Sequence, residues 1–160
     1  MSTSHKILTT GEADQLIRQW KGDHEKIVFT NGCFDIMHVG HLDYLEAARQ
    51  LGDHLIIGVN TDDSVRRLKG SNRPINDAYS RTRLLASLEF VDAVILFDED
   101  TPYDLIKRVK PDILVKGDDY LTENIVGADI VIAAGGEVKT LPFTEGYSST
   151  SIIERIRTIN

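Results

Sequence analysis

His38 and His41 are the residues whose types and spacing most readily do chemistry in this chain. They close the run KIVFTNGCFDIMHVGH at residues 26–41. The run opens on Ile27-Val28-Phe29, an apolar stretch of strand type. It then turns through Asn31-Gly32 and enters a helical pattern in which Leu42, Leu45 and Ala48 recur every third residue. A strand that stops just before a helix start presents free backbone N–H groups and the positive end of a helix dipole, and such a place suits phosphate. Two imidazole donors there could steady charge developing on phosphoryl oxygens. Gly32 permits the tight turn, and Gly40, with no Cβ, would let a phosphate approach the helix backbone. Taken alone, H-x-x-H also fits two half-exposed histidines at a helix start, or a metal site completed by Cys33 or Asp35. Histidines three apart with one cysteine in a turn make a weak zinc pattern, however. The full run T-N-G-x-F-D-x-x-H-x-G-H between strand and helix favours phosphate handling.

The rest of the sequence reads as a frame that positions this turn. Residues 1–8 are expected to fray, and Thr9 or Thr10 to cap a helix reaching Lys21, with Ala13, Leu16, Ile17 and Trp20 on one side. Strands are expected at 26–30, 54–59, 92–97, 113–115 and 137–141. Helices are expected at 39–51, 63–68, 77–90, 101–109, 122–134 (one or two short pieces) and 149–158. In the helix at 77–90, Leu84, Leu85 and Leu88 form the apolar side and Arg81 and Arg83 lie elsewhere. In the last helix Ser151-x-x-Glu154 matches a capping box. Strands alternating with helices five times predict a doubly wound, Rossmann-like α/β domain, a five-stranded parallel sheet with helices on both faces. One domain is expected over 1–160, with 1–25 as a helical extension and 26–158 as the core. Ligands on such sheets bind beyond the carboxyl ends of the strands. The polar segments 30–41, 60–63, 116–120 and 144–151 all fall at that end.

Composition narrows the function classes. The 160 residues are 41% hydrophobic and 27% charged, ordinary for a globular protein, and 18 basic against 25 acidic side chains leave a net charge of −7. A groove tracking a nucleic-acid backbone needs a basic surface, so no nucleic-acid polymer is expected as partner. A small anionic ligand needs only a local pocket. No apolar run approaches the roughly 18 residues of a membrane span. The start, MSTSHKILTTGEAD, lacks the apolar core of a signal peptide, and Cys33 is the sole cysteine, so a cytoplasmic home is expected. No two glycines stand two apart, which excludes G-x-G-x-x-G, and no P-loop motif occurs.

Two stretches carry a family resemblance. TNGCFDIMHVGH resembles the signature of the nucleotidyltransferase superfamily bearing an H-x-G-H motif. GYSSTS at 146–151 is similar to that superfamily's second signature, a hydroxyl-rich turn opening the last helix. Between them LKGSNRPIN, the helix with Arg83, LFDEDTP, DILVKGDDY and GGEV resemble one branch, the adenylyltransferases of bacterial ADP-heptose synthesis, which occur alone or fused to a kinase. The likeness spans residues 26–157. Glycerol-3-phosphate cytidylyltransferases, which use CTP, share the first signature, GDD and the hydroxyl turn. They usually carry arginine where this chain has Phe143 and differ over 68–76. Ser151 departs from both, since a second threonine is commoner there; its hydroxyl is kept.

The resemblance implies transfer of AMP from ATP, with Mg²⁺ carried by the nucleotide, to D-glycero-D-manno-heptose 1-phosphate, for lipopolysaccharide core or a related surface glycan. It assigns His38, His41 and Lys69 to catalysis. Thr30, Asn31, Gly32, Phe34 and Gly40 would line the phosphate path, with Arg83 near the phosphates. Ser149, Thr150 and Ser151 would hold the β- and γ-phosphates, and Lys116, Gly117 and Asp118 would lie by adenosine. Asp35 and Arg73 would serve the sugar phosphate, Asp35 also fixing the turn, while Cys33 packs. No dedicated metal site is expected. Members often pair, so a homodimer is expected. A non-catalytic nucleotide-binding module is the contrasting reading. Its mark would be a lost histidine or hydroxyl turn, and this sequence keeps both.

Overall fold

Alternating side chains along each central strand sort the apolar residues into two sets. Ile27 and Phe29 of one strand go to one face, and Val28 between them goes to the other. This two-sided burial is the reason the strands read as continuous apolar runs. The computed structural model describes residues 1–119 and 121–159; Tyr120, the end of the K-G-D-D-Y run, lies outside the described residues. Among the described residues six strands, β1 (Ile7–Leu8), β2 (Ile27–Gly32), β3 (His54–Asn60), β4 (Ala93–Phe97), β5 (Ile113–Gly117) and β6 (Glu137–Leu141), form one sheet. Its order is β1-β4-β3-β2-β5-β6 and every pairing is parallel.

The α-helices that connect the strands are α1 (Thr10–Gly22), α2 (Val39–Arg49), α3 (Asp62–Lys69), α4 (Ala78–Ser87), α5 (Tyr103–Val109), α6 (Ala128–Ala133) and, last, α7 (Ser149–Arg157). One face of the sheet is covered by α1, α5 and α6 through Ile17, Trp20, Ile106 and Val131. The other is covered by α2 and α4 through Leu45, Ala48 and Leu85. Among the described residues no helix is long and apolar enough to cross a membrane.

Three expectations need correction. The sheet has six strands, not five, because the segment expected to fray makes a short 3₁₀ turn (Ser4–Lys6) and then β1, in which Ile7 and Leu8 pair with Val94 and Ile95. Ile7 packs on one core and Leu8 on the other, so the two residues together close the edge; a two-residue strand has no periodicity to read. In α4 the buried side is Arg81, Thr82, Leu85 and Ala86, whereas Leu84 is 47% exposed and Leu88 lies past the helix end. The cap of α7 is Ser148, whose side chain accepts from the Ser151 N–H, so Ser151-x-x-Glu154 falls inside the helix. At α1 the cap is Thr9 in a full capping box with Glu12.

The amino ends of the strands are tied down by three aspartates. Asp53 accepts from the Lys26 N–H (2.7 Å), Asp112 from the Ile27 N–H (2.8 Å) and Asp92 from the Leu55 N–H (2.8 Å). Each stands just before one strand and caps its neighbour. Beside them His54 stacks on Trp20 at 3.9 Å, shares a hydrogen bond between Nε2 and Glu25 (2.8 Å) and faces Asp92 at 3.5 Å. At the other end, the chain runs outward from β2 through β3 and β4, then returns to β5 and β6. The reversal leaves a crevice beyond the carboxyl ends of β2 and β5.

Candidate active site

The β2–α2 turn builds the floor of that crevice. Phe34 adopts a left-handed conformation (φ 50°), and its ring packs so closely over Gly32 that a Cβ there would come within 3.0 Å of it, so the glycine suits this turn. His38 is the N-cap of α2, and His41 follows within its first turn. The two rings lie 3.9 Å apart. The His38 backbone N–H donates to Nδ1 of His41 (3.3 Å), which leaves the proton of the neutral His41 ring on Nε2. Burial drives His41 down to about 4, helped by the neighbouring His38 ring and Lys69, and burial lowers His38 as well. Both rings are therefore neutral donors near pH 7. Gly40 lines the cavity as expected and has a second neighbour. A Cβ there would meet the His38 ring at 3.0 Å, so the glycine makes room for the imidazole itself.

Above this floor is a cavity of about 430 Å³. One wall is cationic: Lys69 at the end of α3 and Arg73 in the loop that follows. The opposite wall is aromatic and hydroxylic, with Tyr44, Phe143, Tyr147, Ser148 and Ser149, and Lys116 and Gly117 stand at the end of β5. Tyr44 stacks on Phe143 (centroids 5.8 Å apart) and His38 on Tyr147 (6.3 Å). Phe143 lies so close over Gly117 that a Cβ there would be 2.1 Å from the ring. Among the described residues Asp35 is the one carboxylate of the lining, and it is paired with Arg73, so the lining is net positive in a protein of charge −7. Burial lowers Lys116, with Asp119 opposing. Two buried polar atoms of the cavity, Asn31 Oδ1 and His38 Nδ1, have no hydrogen-bond partner among the described residues. Both residues line the cavity, and an unpaired buried polar atom at its edge is an unusual feature of a folded protein.

The structure gathers His38, His41, Lys69, Asn31, Gly32, Phe34, Asp35, Gly40, Arg73, Lys116, Gly117 and Ser149 around this cavity, as the sequence led us to expect. It leaves others out. Thr30 is fully buried, and its hydroxyl is bonded to Tyr44 (2.9 Å), whose phenol burial pushes up to about 12. Arg83 points the opposite way, to Thr3 (3.3 Å), because it stands two residues past the inward-facing Arg81 on α4. Asp118 is exposed and holds β6 through its N–H to Leu141 (3.0 Å). Ser151 turns back to the Ser148 carbonyl (2.9 Å), and Thr150 lies outside the lining. The Asp35 carboxylate touches the cavity, yet its oxygens are taken by Arg73 Nε (2.7 Å) and the Ile75 and Asn76 N–H groups, leaving it 1% exposed. Through these bonds it holds the loop that carries Arg73.

Sequence reasoning missed Tyr44, Tyr147 and Ser148. Tyr44 had a signal, since it lies three residues beyond His41 on the same helix face. Tyr147 and Ser148 stood within the hydroxyl-rich run.

Comparison with known proteins agrees with this geometry. Residues 29–155 match the cytidylyltransferase-like family. The bifunctional protein HldE of a Nitratiruptor species is 60% identical over 83% of this chain and 28% of its own length. That of Pasteurella multocida is 53% identical over 98% of this chain and 33% of its own length. The chain thus spans about a third of the length of these relatives. Among solved structures, the lipopolysaccharide core biosynthesis protein from Thermoplasma volcanium is 34% identical, with a TM-score of 0.60 over 78% of this chain and 99% of that one. Pantothenate synthetase from Thermus thermophilus, 17% identical with a TM-score of 0.62 over 92% of this chain and 67% of that one, shares the fold. With the matched span running from within β2 into α7 and including both histidines, this chain belongs to the cytidylyltransferase-like family.

Proposed function

We propose that the chain is a nucleotidyltransferase that transfers AMP from ATP to D-glycero-D-manno-heptose 1-phosphate, releasing pyrophosphate and ADP-heptose. The observation that carries this reading is the pair of neutral imidazoles at the start of α2, set between a cationic wall and an aromatic one. A phosphate oxygen of the sugar 1-phosphate attacks the α-phosphorus of ATP, the bond to the β-phosphate oxygen breaks, and pyrophosphate leaves with the electron pair. No covalent enzyme intermediate is needed, so catalysis rests on positioning and on donors aimed at developing charge. The Nε2–H of His41 and the His38 ring donate to the oxygens around the α- and β-phosphates. The N-terminus of α7, with Ser149, receives the far phosphates. Lys69 and Arg73 supply the charge that draws the acceptor phosphate against the triphosphate. ATP brings its own Mg²⁺.

The sequence of the intervening segments favours the heptose branch, and the presence of Phe143 on the aromatic wall fits a purine. The test is turnover: protein, Mg²⁺ and heptose 1-phosphate are mixed with ATP or CTP, and pyrophosphate is measured. Release with ATP is the expected result. Release with CTP alone, on glycerol 3-phosphate, would move the chain to the cytidylyltransferase reading. Nucleotide binding with no turnover on either acceptor would make it a binding module.

A further inference from the structure

Among the described residues Arg81 is the largest fully buried side chain, and it is charged. A guanidinium survives inside a protein only where its donors are met in the right plane. Here Nε donates to the Asn76 carbonyl (3.0 Å), Nη1 to the Cys33 carbonyl (2.8 Å) and the Asn60 carbonyl (2.8 Å), and Nη2 to the Asp62 carboxylate (2.7 Å). Those four acceptors belong to four different segments. Cys33 is in the turn leading to the histidines, and Asn60 ends β3. Asp62 opens α3, whose last residue is Lys69, and Asn76 closes the loop that carries Arg73. A second set of bonds runs in parallel. The Asp35 carboxylate holds Arg73 and the Ile75 and Asn76 N–H groups, while Asn76 Nδ2 donates to the Asp35 carbonyl (2.6 Å). The cationic wall is thus fastened to the histidine turn at several points, and Arg81 is joined to all four segments. Arg81 does not line the cavity.

From this geometry we infer that Arg81 is a positioning residue for the acceptor side of the reaction: it fixes Lys69 and Arg73 against the histidine turn without touching substrate. Its influence should reach the acceptor more than the binding of adenosine, because none of its four acceptors lies in the aromatic wall, β5 or α7, and the one in the histidine turn, the Cys33 carbonyl, should be felt in kcat. The inference rests on the proposed transfer reaction for its kinetic consequence and on the hydrogen bonds alone for its structural one.

Two variants separate the outcomes. R81K keeps the charge but lacks the planar fork that reaches four segments at once. D62N replaces the one charged acceptor, at a half-buried position, by a neutral amide oxygen and leaves the three carbonyl bonds, a milder change than R81K. For R81K the expected result is a rise in KM for heptose 1-phosphate and a fall in kcat, each about tenfold or more, with ATP affinity by calorimetry within about twofold. D62N should move the same way by a smaller factor, and it carries the test if R81K does not fold. Backbone hydrogen exchange, which needs no turnover, should quicken at residues 33–36 and 69–76 and stay unchanged at 113–117 and 149–157. If ATP affinity weakens in step with the acceptor KM, or exchange rises evenly along the chain, Arg81 is only a fold-holding residue and the inference fails. It fails also if neither variant changes exchange at 33–36 and 69–76. Wild-type protein that turns over no acceptor overturns the proposed reaction instead, and the exchange result then judges Arg81 by itself.

Discussion

The two ends of the sheet use the same kinds of polar residue to opposite purposes. At the amino end each of the three strand-capping aspartates has a backbone partner: Asp53 on Lys26, Asp112 on Ile27 and Asp92 on Leu55, with Arg49 on Asp92 (3.1 Å) and Glu25 on His54. At the carboxyl end His38 Nδ1 and Asn31 Oδ1, on two residues that line the cavity, have no hydrogen-bond partner among the described residues, and two imidazoles are held neutral by burial. His54 Nδ1, at the amino end, also lacks a hydrogen bond among the described residues but faces Asp92 at 3.5 Å. The carboxylates of the amino end are taken up by the strands, whereas the carboxyl end gathers its imidazoles and cations around a cavity. Stability and chemistry are therefore divided between the ends, and substitutions at each should report on one and not the other.

The largest effect should come from the carboxyl end. H41A, and separately H38A, is expected to lower kcat by about 10²–10³, equivalent to about 3–4 kcal/mol of transition-state stabilisation, with little change in melting temperature. Steady-state pyrophosphate release and a thermal melt on the same samples check it. A variant that unfolds early would break the division of labour. At the amino end D92A should do the reverse. It leaves the Leu55 N–H without its acceptor and removes the partner of Arg49, for about 1–3 kcal/mol lost in a urea titration and an unchanged kcat.

Next in size is a pH effect. His41 stays neutral in the fold down to about 4, whereas in the unfolded chain it takes up a proton near its ordinary value of 6.5. The unfolded state then binds the extra proton, so stability is full above pH 6.5 and declines as pH falls towards 4. Replacing His41 by asparagine should flatten that part of a stability-versus-pH curve; an unchanged slope would place the titration elsewhere. The smallest effect belongs to the aromatic wall. G117A pushes a methyl into the space of Phe143, a residue 52% exposed whose ring must shift from its stack on Tyr44. A few-fold loss of nucleotide affinity with no loss of stability is expected, and the double variant G117A/F143A should regain part of it.

Much of this molecule could be read from its residues, and the failures have physical causes. The strands were legible because β2 to β5 are covered on both sides and give continuous apolar runs, and α1 because Thr9 and Glu12 announce its start. The histidine turn was legible because glycines and imidazoles stand close together in sequence. Arg81 was placed off the buried side of its helix for a physical reason. A charged side chain is ordinarily on the surface or on a substrate, and only the folded arrangement reveals that carbonyls from residues 33, 60 and 76 converge on a single guanidinium. Arg83 was given to the phosphates by resemblance alone, and a motif does not register that two positions on a helix differ by about 200° of rotation, which turns Arg83 towards Thr3. The hydroxyls of Thr30 and Ser151 were overrated because a hydroxyl can be consumed by its own surroundings, here Tyr44 and Ser148.

Trp20 has a practical consequence for anyone who trims or grafts this protein. Its indole lies flat on the His54 imidazole at the foot of β3, and Ala13 and Ile17 of the same helix enter the core. A shortened version starting at residue 26 would expose a greasy scar across the sheet and come out of the cell as precipitate. Scissors, tags and fusion partners are better placed ahead of Thr3, where the polypeptide has not yet begun to matter to its own interior.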